Sequence, residues 1–163
     1  MNAMAGMYSD NEIAVLVNER KPLPPDWRNR IRLRPKSGHE ERDLELTGDG
    51  GSRFRIILRK NKINALDFSI ILAVCVPQSN QLFRLRRYNG KSHEHTNRLE
   101  GVTFYDFHIH IATERYQAVG MREDAYAEPT DRYGDFRDAL SCLIKDVNIN
   151  VPLDRQGTLF EEI

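Results

Sequence analysis

A chain of 163 residues, 40% hydrophobic with seven Phe, six Tyr and one Trp, is long enough to bury one core and too short for several domains. Its formal net charge is zero, yet residues 20–91 carry +10 and residues 92–163 carry −7, so a basic surface is expected on part of a neutral molecule. The longest apolar run, residues 70–76, is far below the roughly 20 residues that cross a bilayer, which excludes a spanning helix and predicts a soluble, cytoplasmic protein without membrane contact.

In chain order, "SDNE" at 9–12 has the form of a capping box, and Ile13, Leu16 and Val17 follow as an apolar stripe, predicting a helix from about Asp10 to Arg20. "KPLPP" then stops it, because proline lacks an amide donor and disfavours helical geometry in the residue before it. From residue 28 the period changes to two. "RNRIRLRP" alternates Arg28, Arg30, Arg32 and Arg34 with Ile31 and Leu33, and "DLELT" places Leu44 and Leu46 on one side, both patterns of half-buried strands. "GDGG" at 48–51 predicts a hairpin turn, and "RFRIILR" beyond it puts Phe54, Ile56 and Leu58 on one face and Arg53, Arg55, Ile57 and Arg59 on the other. "DFSIILAVCV" is apolar on both faces and reads as the central strand, ended by Pro77. Cys75 and Cys142 each lie inside an apolar pattern and are expected as free thiols.

Four of the five histidines, His93, His95, His108 and His110, fall within eighteen positions. In "LFRLRRY", alternation sets Phe83, Leu85 and Arg87 against Arg84, Arg86 and Tyr88; in "FYDFHIHI", it sets Tyr105, Phe107, Ile109 and Ile111 against Phe104, Asp106, His108 and His110. If both apolar sides face the core, one uncovered surface carries Arg84, Arg86 and Tyr88 beside Asp106, His108 and His110. "TERYQAVG" predicts a short helix from a Thr113 cap to Gly120. "DRYGDFRDALSCLIKDV" predicts a longer one behind an Asp131 cap, with Tyr133, Phe136, Leu140, Leu143, Ile144 and Val147 at helical spacing. The expected fold is α+β: a twisted antiparallel sheet of about five or six strands, with C-terminal helices on one face. The divisions are an N-terminal helix and Pro-rich connector at 1–27, a single domain at 28–147 and a tail at 148–163.

"RLRRYNGKSHEHTN" together with "YDFHIHIATERYQ" resembles an uncharacterised family of small bacterial proteins of unknown function, over most of residues 20–147. The resemblance supplies no activity and no functional residue. It implies only the kind of small accessory protein found with mobile or defence genes.

The leading functional expectation is a protein that engages nucleic acid, RNA above all, with ribonuclease chemistry that needs no cofactor. His108 and His110 would exchange protons, assisted by Arg86, Glu114 and Tyr116, while Arg53, Arg55, Arg59, Arg84, Arg87, Lys91 and Arg115 would hold phosphates. A second expectation uses the same imidazoles differently: His93/His95 and His108/His110 are two H-x-H pairs, each offering two nitrogens to zinc or another divalent transition metal. A third is a non-enzymatic, partner-binding or regulatory protein that docks through the tail residues Leu159, Phe160 and Ile163.

Overall fold

A computed structural model describes residues 7–152. The first helix, α1 (Asp10–Asn18), starts at the capping box read from the sequence: Glu12 N donates to Ser9 Oγ at 3.1 Å and Ser9 N donates to Glu12 Oε1 at 2.9 Å. After a two-residue strand, β1 (Lys21–Pro22), the expected strand over 28–34 is instead a turn of helix, α2 (Trp27–Arg30), followed by β2 (Arg34–Pro35). Trp27 and Ile31 are four residues apart and both buried, and the core contact of that pair overrides the two-residue alternation of the arginines.

Four long strands then form the sheet: β3 (His39–Thr47), β4 (Arg53–Asn61), β5 (Phe68–Cys75) and β6 (Leu82–Asn89). The β3–β4 turn contains Gly51 at a φ of 89°, and a Cβ at Gly48 would fall on the carboxylate of Glu19, which accepts from Gly50 N and Ser52 N. A small hairpin, β7 (His95–Asn97) and β8 (Val102–Phe104), precedes β9 (His108–Ile111), α3 (Glu114–Ala118), β10 (Ala127–Pro129), α4 (Phe136–Asp146) and β11 (Ile149–Asn150). The main sheet is open, antiparallel and seven-stranded in the order β10-β9-β6-β5-β4-β3-β2, with β5 at its centre as its two-sided apolar pattern implied.

One face is the core. Cross-strand rows such as Leu58, Ile70, Tyr88 and Ile109, and Leu46, Phe54, Val74 and Phe83, are buried beneath α4 and α1. The cap of α4 is Asp135, whose carboxylate accepts from Asp138 N at 2.8 Å, rather than Asp131. Tyr133 lies outside the helix but is still buried. Residues 149–150 form β11, which pairs in parallel with β1. Leu159, Phe160 and Ile163 lie outside the described residues. Among the described residues, no helix is long and apolar enough to cross a membrane.

Two irregularities change the surface that simple alternation predicts. In β6, Arg84 pairs with Ala73 but Arg86 pairs with Leu72, so Leu85 is an extra residue and the faces exchange beyond it. Tyr88 is thereby fully buried on the core side, and Arg87, not Arg86, stands opposite His110. The run "FYDFHIHI" is also not one strand, because Phe104 ends β8 and only residues 108–111 join the main sheet.

At the junction of β1, α1 and α4, Lys21 is fully buried, and its Nζ lies 2.7–2.9 Å from the carbonyls of Leu16, Val17, Glu19 and Val147. Replacing it by Met strips the donors from the C-terminal ends of two helices at once. Lys21→Met is expected to cost about 3 kcal/mol, read as a lower urea midpoint at unchanged m, since each orphaned buried acceptor costs roughly 1–3 kcal/mol.

Candidate metal centre

The face opposite the core carries rows set by the same registers: Arg59, Ser69, Asn89 and His108 in one, Ile57, Ile71, Arg87 and His110 in the next. The sequence implied an uncovered face, but at the β9 end it is closed to solvent. The β7–β8 hairpin folds over it, leaving His108 fully buried and His110 only 3% exposed. His95, on β7, stacks on His108 with ring centroids 5.4 Å apart and meets His110 edge-on at 4.9 Å, while His108 and His110 are themselves 5.0 Å apart.

Asn97 fastens the hairpin. Its Nδ2 donates to Ala127 O at 2.7 Å and its Oδ1 accepts from Ala127 N at 2.9 Å, so the side chain acts as a strand partner for the edge strand β10. The same Oδ1 lies 2.8 Å from His95 Nε2. Ala127 fixes which end of the amide is oxygen, so His95 Nε2 must carry the proton and Nδ1 is left with a lone pair. His108 Nδ1 donates to Asp106 O at 2.8 Å and His110 Nδ1 donates to Asp124 O at 2.7 Å, which leaves Nε2 of each ring as the acceptor nitrogen. One nitrogen from each of His95, His108 and His110 belongs to a set whose members all lie within 4.8 Å of one another. His93 is exposed and outside this set, its ring edge-on to His108 at 5.7 Å.

Burial holds His108 and His110 neutral. It pushes His108 down to about 4, aided by the neighbouring His95, His93 and Arg87, and pushes His110 down to about 2, aided chiefly by Arg87 and His108. Arg87 is in turn held by the buried Asp124, with Nε 3.1 Å from Oδ2; Arg122 reaches Asp124 at 3.4 Å and Arg84 at 3.7 Å. These contacts are close in charge but poorly aligned as hydrogen bonds, and both Asp124 oxygens lack a well-directed donor. Beside the histidines opens a cleft of about 480 Å³, whose walls include His95, His110, Thr96, Arg87, Arg98 and Arg122.

The remaining residues singled out from the sequence are dispersed. Arg86 lies on the core side near Tyr88 and Asp146. Glu114 exchanges hydrogen bonds with Asp10, tying α3 to α1. Tyr116 is buried and donates to Glu100 Oε1 at 2.6 Å, and Arg115 pairs with the same Glu100 while covering the ring of Tyr126. Arg53 and Arg55 pair with Glu45 on β3, Arg84 pairs with Glu123, Arg59 is exposed far along its row, and Lys91 sits in the loop before β7. Asp106 contributes its carbonyl and not its side chain. The sequence reading missed Asn89, Asn97, Asp124, Arg98 and Arg122; Asn89 and Asn97 stand in the string around the first histidine pair but follow no ligand or catalytic spacing, and only the fold brings all five to the histidines.

Two outcomes are expected. Asn97→Ala should abolish slow amide exchange at Ala127, whose protection at a sheet edge depends on that one side chain, with a stability cost of about 1–3 kcal/mol. The second concerns acid. Both imidazoles titrate lower in the fold than the unfolded value near 6.5, so stability is complete above that pH and is lost as pH falls below it. His108 alone should cost about 3 kcal/mol by pH 4, because each tenfold loss of proton affinity on folding is worth roughly 1.4 kcal/mol, and the loss should be smaller in His108→Asn when urea unfolding is followed against pH. Comparison of the chain with protein-family models, curated proteins and solved structures gives no match.

Proposed function

We propose that this protein binds a divalent transition metal, zinc or a chemically similar ion, through Nδ1 of His95 and Nε2 of His108 and His110. The observation that carries the reading is the hydrogen bonding of the three rings. Each has its N–H fixed on an oxygen acceptor, Asn97 Oδ1, Asp106 O or Asp124 O, while its other nitrogen carries the lone pair, the arrangement that orients metal-ligating imidazoles. The depressed proton affinities of His108 and His110 supply the neutral form a metal requires, whereas proton transfer in RNA cleavage needs a protonated fraction near neutrality that burial removes.

The donor set also selects the ion. Three imidazoles without a carboxylate suit zinc and its neighbours and give little to Mg²⁺ or Ca²⁺, which prefer oxygen. Ligand bonds of about 2.0–2.1 Å place tetrahedral nitrogens about 3.4 Å apart, so binding would draw the rings inward by roughly 1 Å. Three protein ligands leave a fourth position for water or another small ligand.

Tag-free protein, stripped with chelator and dialysed against Zn²⁺, is expected to retain one metal per chain by elemental analysis. His95→Ala, His108→Ala or His110→Ala should each reduce retention by at least tenfold, and His93→Ala should leave it near the wild-type value. Retention well below one per chain in the wild type would sink the proposal.

A further inference from the structure

Resting on that metal site, we infer that the open coordination position takes a small oxyanion, a phosphate or carboxylate group, held between the ion and the arginines of the adjoining cleft. Two of the three ligands, His95 and His110, line this cleft, so an exogenous group can reach the ion from that side. The same cleft is lined by Arg87, Arg98 and Arg122 and, among the described residues, by no carboxylate side chain.

The charge balance favours an anion. Three neutral imidazoles leave the full +2 of the ion uncompensated. Asp124, fully buried, pairs with both Arg87 and Arg122, and Glu123 is occupied by Arg84. Arg98 is exposed and forms no ion pair among the described residues. The rim therefore has guanidinium charge beyond what its own carboxylates neutralise, at a position that faces solvent. Arg122 contributes an exposed fork, 55% accessible, that need not leave Asp124 to meet a ligand. Guanidinium forks match the paired oxygens of phosphate and carboxylate; a phosphate has further oxygens for the metal ion, and a carboxylate can give one oxygen to the ion and the other to a guanidinium, so the site offers contacts that oxyanions use.

The test uses full-length protein loaded with Co²⁺, whose visible absorption bands report its coordination sphere. Inorganic phosphate and acetate are titrated separately into the loaded protein. A saturable change in the bands with either anion is expected, the stronger response identifying the headgroup preferred. Arg98→Gln and the double variant Arg98→Gln/Arg122→Gln should weaken the better anion by about threefold and at least tenfold respectively, with Co²⁺ stoichiometry unchanged. Bands insensitive to both anions, at one bound Co²⁺ per chain, would overturn the oxyanion site while leaving the metal site standing. Wild-type anion affinity in the double variant would also overturn it. Failure of the wild type to take up Co²⁺ would remove the metal site and this inference together, an outcome distinct from the other two.

Discussion

The side chain of Asn97 is the constraint on which the histidine centre depends. A primary amide presents one acceptor and two donors in a plane, the same face a peptide group shows to a neighbouring strand, and here it pairs in both directions with Ala127. An unpaired edge strand is thereby terminated, and the β7–β8 hairpin is fixed to it in one register. Because the hairpin carries His95 two residues before Asn97, the same contact sets the distance of that ring from His108 and His110 and, through the shared Oδ1, its tautomer. Position and proton placement thus follow from one buried, satisfied amide.

Closing the hairpin over the sheet also creates the electrostatics. His108 and His110 would be ordinary titrating imidazoles on an uncovered sheet face; beneath the hairpin they lose hydration and stay neutral. Arg87 beside them adds to this, and the fold tolerates a guanidinium in that place because Asp124 lies against it, fully buried on the same segment whose carbonyl receives the His110 proton. One residue therefore serves twice: its backbone orients a ring and its side chain compensates the charge that keeps the ring neutral.

The core side reaches the same centre through Tyr133. Its hydroxyl lies 2.8 Å from Asn89 O and 2.9 Å from His108 O, so the aromatic cluster of Phe68, Phe107 and Tyr133 is joined to the backbone that carries the site. Asn89, opposite His108 in the register, holds its amide between Ser69 Oγ and His108 Nε2, the latter at a long 3.4 Å that a metal ion could displace with little loss. The centre rests on β9 and β6 of the main sheet and is closed by the short β7–β8 hairpin, which combines a paired floor with access from one side.

Much of the architecture was legible in local patterns. The α1 capping box, the Gly-rich β3–β4 turn, the two-sided apolar β5 and the Thr113 cap all depend on residues within a few positions of each other, and local sterics and hydrogen bonding decide them. The sequence also determined that His108 and His110 share a face, since strand geometry forces residues i and i+2 to one side. It could not determine which face Arg87 and Tyr88 occupy, because the extra residue at Leu85 is seen only against the partner strand. Trp27 and Ile31 likewise turned an alternating stretch into helix only by having a core to enter. That His95 joins the pair while His93 does not, and that Asp124, Arg98 and Arg122 surround them, was settled by contacts between segments far apart in the chain, as Asn97 with Ala127 and Arg87 with Asp124. Such contacts leave no period or spacing in the chain, because their energy comes from burial and pairing that exist only once the sheet has formed.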